Sequence, residues 1–222
     1  MVLSPNVRRG FRALIGEQLW GGLVAHGVTR SYPAGSFLLR QGDPGGWVLV
    51  LLRGRVKVTG HDEEGAELLV SLRAAGDLVG EIAGVPQVAR TASVQAIDRC
   101  TVQVLTAEVF REFLRRNCAD SQFTDYLLAK LSETVPYQMQ LVHFSAQRRL
   151  ARLILELVAL ADPGDPERMQ VPFSQEALAR ALGLSRSTVA EQISVLRASG
   201  ALGLGRRLLV ADLDKLADSA GL

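Results

Sequence analysis

Gly80-Glu81-Ile82-Ala83-Gly84-Val85-Pro86-Gln87-Val88-Ala89-Arg90-Thr91-Ala92-Ser93-Val94 is the stretch whose reading decides the fold of this chain. Gly76-Asp77-Leu78-Val79 leads into it, so a short apolar strand runs into a turn. Gly80 gives the backbone room for close approach to a ligand. Glu81-Ile82-Ala83 can open a short helical turn, whose free N–H groups and positive dipole end suit a phosphate. Arg90 follows, with Thr91 beside it. A guanidinium and a hydroxyl next to a helix N-terminus make a three-part anion cradle. Glu81 repels an anion and suits neutral donors such as sugar hydroxyls. The plainer alternative is a β-roll turn carrying a surface Glu–Arg pair.

Upstream, Phe11, Leu14, Ile15, Leu19 and Leu23 follow a helical spacing over residues 11–24, weakened by Gly21-Gly22 and Gly27. The pattern then changes. Tyr32-Pro33-Ala34-Gly35 is a turn, residues 37–40 a strand and residues 41–46 another turn. Trp47 to Leu52 is an apolar strand, Arg53-Gly54 a break, and Arg55 to Thr59 alternates with period two. Residues 67–72, 93–97 and 100–105 read as further strands, separated by Gly-rich turns. Short strands of this kind predict a small antiparallel barrel or jelly roll with the cradle in its middle.

The whole chain of 222 residues is 48% hydrophobic, enough for one large domain or two small ones. A net charge of +2 allows nucleic acid as a partner without demanding it. Cys100 and Cys118 form no C-x-x-C, so neither zinc nor an iron–sulfur cluster is implied; both are expected as small buried hydrophobes in a reducing compartment. His26, His61 and His143 are not clustered with other ligands, so no metal site is expected, and no catalytic constellation can be assembled. No apolar run reaches membrane-spanning length and the N-terminus lacks a signal-peptide core, which predicts a cytoplasmic protein with no membrane partner.

Downstream, Thr106 is an N-cap candidate with Glu108 in the first turn, and Phe110, Phe113 and Leu114 form an apolar face. A long helix is expected from about residue 121 to 144. Leu128, Leu131, Val135, Gln138 and Val142 fit heptad a/d spacing, either a dimer seam or a face packed on the roll. Pro136 lies inside and predicts a kink or interruption near residues 132–136. Residues 145–160 are helical again, and residues 162–166 are a loop. Ser174 to Leu196 then has helix-turn-helix grammar. Ala177, Leu178, Ala181 and Leu182 face inward, Gly183 turns, and Ser185 caps a second helix held by Val189, Ile193 and Leu196. Arg186, Ser187, Thr188, Glu191 and Gln192 are left outward near its N-terminal end, where a recognition helix reads bases. Gly205-Arg206-Arg207 before Leu208-Leu209-Val210 reads as a β-hairpin wing with two arginines for phosphates. A three-helix protein-interaction module explains the core residues equally well, but not the exposed Ser185–Thr188 run followed by a basic wing.

The cradle resembles the phosphate-binding cassette of cyclic-nucleotide-binding domains. Gln41-Gly42-Asp43, Arg53-Gly54-Arg55-Val56, Gly76 to Glu81 and Arg90-Thr91-Ala92 resemble, in order and rough spacing, the sensor domain of the cyclic-AMP receptor protein (CRP/FNR) family; Ser174 to Val210 resembles its winged helix-turn-helix. The resemblance implies an α+β protein: an N-terminal β-roll (jelly-roll) sensor over residues 1–116, a dimerisation helix over 117–144 and a winged helix-turn-helix over 145–222. It implies a non-enzymatic regulator with no obligatory cofactor. The effector would be cyclic AMP or cyclic GMP, and the partners a DNA operator, a second copy of the chain and RNA polymerase. Gly80, Glu81, Ile82, Ala83, Arg90 and Thr91 would hold the nucleotide. Thr134 matches a position from which the family's dimer helix reaches the base, whereas Val135 replaces a second polar residue there. The expectation is weak cyclic-AMP binding with poor discrimination against cyclic GMP. Gln175, Ser185, Arg186, Ser187, Thr188, Glu191, Gln192, Arg206 and Arg207 would contact DNA. Ser187 stands where the family's best-known pattern has glutamate, and Glu191 where it has a second arginine, so the operator should differ. Two other readings stay open: a sensor that binds no nucleotide, and a C-terminal module that contacts protein.

Overall fold

Two strands with unbroken apolar runs carry the N-terminal half. β3 (Trp47–Arg53) and β8 (Cys100–Thr106) pair antiparallel, with Leu49 opposite Val104 and Leu51 opposite Val102. Both faces of β3 are covered, which is why its sequence does not alternate. Leu49 and Leu51 join Val94, Ala96 and Val102 inside the roll. Val48 and Val50 pack instead with Phe11, Trp20, Phe110 and Tyr126 from the surrounding helices. The structure is a computed structural model that describes residues 10–63, 65, 67–82 and 88–222, apart from the side chains of 134–142.

β1 (Val28–Tyr32) and β6 (Leu78–Val79) complete the first sheet, in the order β1-β8-β3-β6. The second sheet contains β2 (Phe37–Leu39), β7 (Ser93–Ala96), β4 (Val56–His61) and β5 (Glu67–Arg73), in that spatial order. Pairing is antiparallel throughout. The architecture is the expected α+β one, a β-roll followed by helices and a helix-turn-helix.

α1 (Gly10–Ala25) breaks at Gly16 (φ 78°), not at the Gly21-Gly22 pair that the sequence suggested. Gly21 and Gly22 keep helical geometry, which costs stability without ending the helix. α2 (Ala107–Arg116) is capped by Thr106, whose side chain accepts from Val109 N. Cys118 is corrected: it is exposed, with φ 50°, in the link to the next helix, whereas Cys100 is buried as expected. α3 (Asp120–His143) continues through Pro136 as one helix, so the interruption expected there does not occur. Proline removes one backbone bond, and a 24-residue helix anchored along its first half tolerates that loss.

α4 (Ala146–Ala159), α5 (Gln175–Leu182) and α6 (Arg186–Ala198) start at Ser145, Ser174 and Ser185, each accepting a backbone N–H as N-cap. α5 ends on Gly183 at φ 59°, the left-handed conformation that glycine adopts without strain. The wing is made of single bridges, Leu202 to Val210 and Gln170 to Leu209, rather than full strands. α7 (Leu213–Ala220), capped by Asp212, was not expected from the sequence. Leu150, Leu153, Ile154 and Leu157 of α4 share one core with Leu178, Val189, Ile193, Leu196 and Leu216. Leu69 and Leu72 of β5 belong to the same core, so the C-terminal helices sit directly on the second sheet of the roll.

Candidate functional site

β6 delivers the chain to Gly80 at φ 82°, a conformation open to glycine and strained for other residues. A Cβ here would lie 2.7 Å from Arg90 Nη1 and 2.8 Å from Leu39 Cδ1. The room that Gly80 provides is therefore filled by the arginine itself. Arg90 is buried; Nη1 donates to Gly80 O (2.6 Å) and Nη2 to Trp47 O (2.9 Å). Its Nε is buried without an acceptor among the described residues. Burial lowers the Arg90 pKa, opposed by the charges of Glu81 and Asp43. The side chain is thus a desolvated cation with one donor unspent, which favours an incoming anion.

Glu81 is also buried, and its carboxylate accepts from Lys130 Nζ of α3 at 2.7 Å. Lys130 also donates to Leu78 O (2.9 Å) and stands over the Tyr126 ring. One turn earlier, the Tyr126 hydroxyl accepts from Leu78 N (2.9 Å) and lies 3.1 Å from Asp77 Oδ1. Burial pushes the Asp77 carboxyl above its ordinary range, opposed by Arg73 and Lys130. Burial also pushes the Tyr126 phenol well up, and the charges of Asp77 and Glu81 add to it. Further along α3, Glu133 accepts from Arg73 Nη1 at 2.5 Å. Tyr126, Lys130 and Glu133 thus form a polar seam on one face of α3, and it ties the helix to the strand that leads into the cassette.

Between cassette and helix lies a cavity of about 450 Å³. Gly80, Glu81, Ile82, Arg90 and Thr91 line one side, and Leu127, Lys130 and Leu131 of α3 another. Five of the residues assigned to the nucleotide therefore meet at one place. Ala83 lies outside the described residues, as does the expected helical turn that it would belong to, and so does the side chain of Thr134. Lys130 and Arg73 were missed by the sequence reading. The signal for the α3 contacts was present: Tyr126, Lys130 and Glu133 are polar at helical spacing on a helix read only for its apolar seam. On that seam Leu128 and Leu131 are exposed, at 56% and 64%. The side chains of Val135, Gln138 and Val142 lie outside the described residues.

In the C-terminal module, Val189, Ile193 and Leu196 are buried. Arg186, Ser187 and Glu191 are exposed on α6, Thr188 and Gln192 half-buried beside them. Ser185 Oγ accepts from Thr188 N (3.0 Å) and lies 2.8 Å from both Ser187 Oγ and Thr188 Oγ1. Gln175 opens α5 and is half-buried. Arg206 and Arg207 are exposed in the wing, whose Gly205 carbonyl accepts from Arg197 Nη2 (2.6 Å). Arg207 Nη1 lies 3.3 Å from Gln170 Oε1 and 3.7 Å from Glu167. Among the described residues no group of three or more His, Cys, Asp or Glu could hold a metal, and no helix is long and apolar enough to cross a membrane.

The cyclic nucleotide-binding domain family matches residues 29–117, and the Crp-like helix-turn-helix domain family matches residues 148–219. The chain is 26% identical over 183 residues to the cAMP-activated global transcriptional regulator CRP of Salmonella typhimurium, covering 78% of this chain and 84% of that protein. A CRP-like cAMP-activated global transcriptional regulator of Mycobacterium tuberculosis is 26% identical over 197 residues, 85% of this chain and 86% of the relative. Among solved structures, a CRP/FNR-family transcriptional regulator of Thermus thermophilus superposes with a TM-score of 0.70 at 25% identity, over 88% of this chain and 99% of that one.

Proposed function

The chain belongs to the CRP/FNR family of transcription regulators, which are not enzymes, and from that premise we propose a homodimer switched by a cyclic nucleotide on a near-palindromic DNA operator. The observation that carries the proposal is the cavity of about 450 Å³ between cassette and α3. Its volume falls in the range of roughly 300–1,000 Å³ typical of small-molecule sites. In this reading Arg90 and Thr91 take the phosphate, with the N–H groups of Ile82 and Ala83 beside them, and Gly80 leaves Arg90 its place. Glu81 takes the ribose hydroxyl in exchange for part of its bond to Lys130. Thr134 is assigned to the base.

Residues 1–116 form the sensor, 117–144 the dimer helix and 145–222 the DNA-binding domain. Leu128, Leu131, Val135, Gln138 and Val142 form the seam between two copies. Arg186, Ser187, Thr188, Glu191 and Gln192 read the operator. Gln175, Ser185, Arg206 and Arg207 hold its phosphates. RNA polymerase is the further partner, and the cytoplasm the place of action. Relatives named as cAMP-activated make cyclic AMP the first effector to test and cyclic GMP the second.

A sensor that binds no nucleotide is the competing reading. It is favoured by Lys130 already neutralising Glu81, and by two carbonyls already occupying the terminal nitrogens of Arg90. Calorimetric titration of the purified protein with each cyclic nucleotide, followed by DNA footprinting with and without it, separates these. Saturable binding that sharpens a sequence-selective footprint supports the switch. A footprint indifferent to both nucleotides supports the ligand-free regulator. Nucleotide binding with no footprint supports a C-terminal module that contacts protein.

A further inference from the structure

Arg73 ends β5 inside the cavity wall. It was not among the residues read from the sequence, and the cassette makes no use of it. Its side chain is only 9% exposed, so the guanidinium has lost most of its water. Glu133 occupies Nη1, while Nε is buried and finds no acceptor among the described residues. A buried donor without an acceptor costs free energy that a bound ligand can return. The cavity offers the unspent donor a partner only if something with acceptor atoms enters it.

The position along α3 says which part of a nucleotide would arrive there. Lys130 holds Glu81, the ribose-side carboxylate, and Glu133 holds Arg73 one turn further on, about 4.5 Å along the helix axis. Thr134, assigned to the base, is the residue after Glu133. Walls of Val58, Val70 and Leu131 nearby suit a flat aromatic ring. An arginine carries donors and no acceptor. Guanine presents two adjacent acceptors, O6 and N7, which match the arginine fork; adenine presents N7 beside the N6 amino donor, which an arginine opposes.

Resting on the cyclic-nucleotide reading above, we propose that Arg73 reads the O6/N7 edge of a guanine base, so that the sensor selects cyclic GMP over cyclic AMP. Glu133 positions the guanidinium by holding Nη1, leaving the Nε edge of the fork to face the base.

Calorimetry on the full-length protein tests this with cyclic GMP, cyclic AMP, cyclic IMP and 7-deaza-cyclic GMP. Cyclic GMP is expected to bind about tenfold or more tighter than cyclic AMP, the scale of one good bidentate pair. Cyclic IMP keeps O6 and N7 but lacks the 2-amino group, and should bind like cyclic GMP. 7-Deaza-cyclic GMP lacks the N7 acceptor and should lose most of the advantage. In Arg73→Gln the preference should vanish or reverse, because a glutamine amide matches N6 and N7 of adenine. The four nucleotides on the unaltered protein decide the matter even if that variant does not fold. Saturable binding with equal affinities, or with cyclic AMP preferred, overturns the role of Arg73 and leaves the cyclic-nucleotide reading standing. A loss with cyclic IMP but none with the 7-deaza analogue overturns it in favour of recognition through the amino group. No saturable binding of any of them overturns the nucleotide reading and this proposal with it.

Discussion

Arg90 combines two tasks in one guanidinium: its terminal nitrogens brace the carbonyls of Gly80 and Trp47, and its remaining donor is buried and unpaired among the described residues. Arg90→Ala should weaken nucleotide binding by about 1.5–3 kcal/mol, the scale of a hydrogen bond to a charged group. It should also lower the melting temperature, because two buried carbonyls lose their donor. Calorimetry and thermal unfolding read the two effects separately; unchanged affinity would remove the anion cradle while leaving the brace. The two cysteines differ in the same local way. Burial pushes the Cys100 thiol up to about 11, with Asp98 adding to it, so almost no thiolate exists at neutral pH. Cys118 is exposed. An aromatic disulfide reagent at neutral pH should titrate one thiol per native chain and both in denaturant. Two rapidly reacting thiols in the native protein would contradict the burial of Cys100.

At the scale of elements, α3 has two jobs on two faces. Tyr126, Lys130 and Glu133 bind the sensor, and the exposed Leu128 and Leu131 are left for a second copy. Leu131 also lines the cavity, so a charge there would disturb ligand and dimer together. Leu128 avoids that ambiguity. Leu128→Asp should give monomers by light scattering and abolish selective DNA binding, since two half-sites need two recognition helices. A dimer that survives the change would place the interface elsewhere. The apolar face of α3 was legible because heptad spacing is local. Its polar face was not, because Lys130 and Glu133 find Glu81 and Arg73 only after the roll has closed. The caps Thr106, Ser174 and Ser185 were legible for the same reason as the heptads: each satisfies an N–H three residues away. α7 had a readable start at Asp212 and stop at Gly221. Its eight residues carry Leu216 and Ala220 as their buried positions, too few to set up a clear period. The cassette was legible as chemistry, while the tight packing of Arg90 against Gly80 needed coordinates.

On the scale of the whole molecule, β5 is the shared wall. Ser71 and Arg73 line the cavity, while Leu69 and Leu72 enter the core of the DNA-binding helices. A strand occupied on both sides lets the contents of the cavity and the seating of the helices affect each other without an intervening loop. A second tether lies at the β3–β4 turn. Arg55 is 4% exposed; Nε and Nη2 bond the Asp98 carboxylate at 2.6 and 2.9 Å, and Nη1 donates to Leu157 O of α4 at 2.5 Å. The bidentate pair fixes the direction of the guanidinium, and that direction lets it cross from sensor to DNA-binding domain. Asp98 is 31% exposed and can recover water if the arginine is lost; Leu157 O is buried and cannot do so readily. Arg55→Met keeps much of the apolar stem and removes every donor. It should therefore cost about 1–3 kcal/mol, the desolvation penalty of one buried unpaired acceptor. That loss should concentrate at the domain contact, so amide exchange in the last turn of α4 should rise while exchange in β3 and β8 stays as it was. Nucleotide affinity should change little, because Arg55 does not line the cavity, whereas the dependence of DNA binding on nucleotide should weaken as the helices loosen on β5. Hydrogen exchange by mass spectrometry and footprinting across a nucleotide titration measure these together. Unaltered exchange in α4 with full nucleotide-dependent DNA binding would show that the domains are held in register by the Leu69 and Leu72 contact alone.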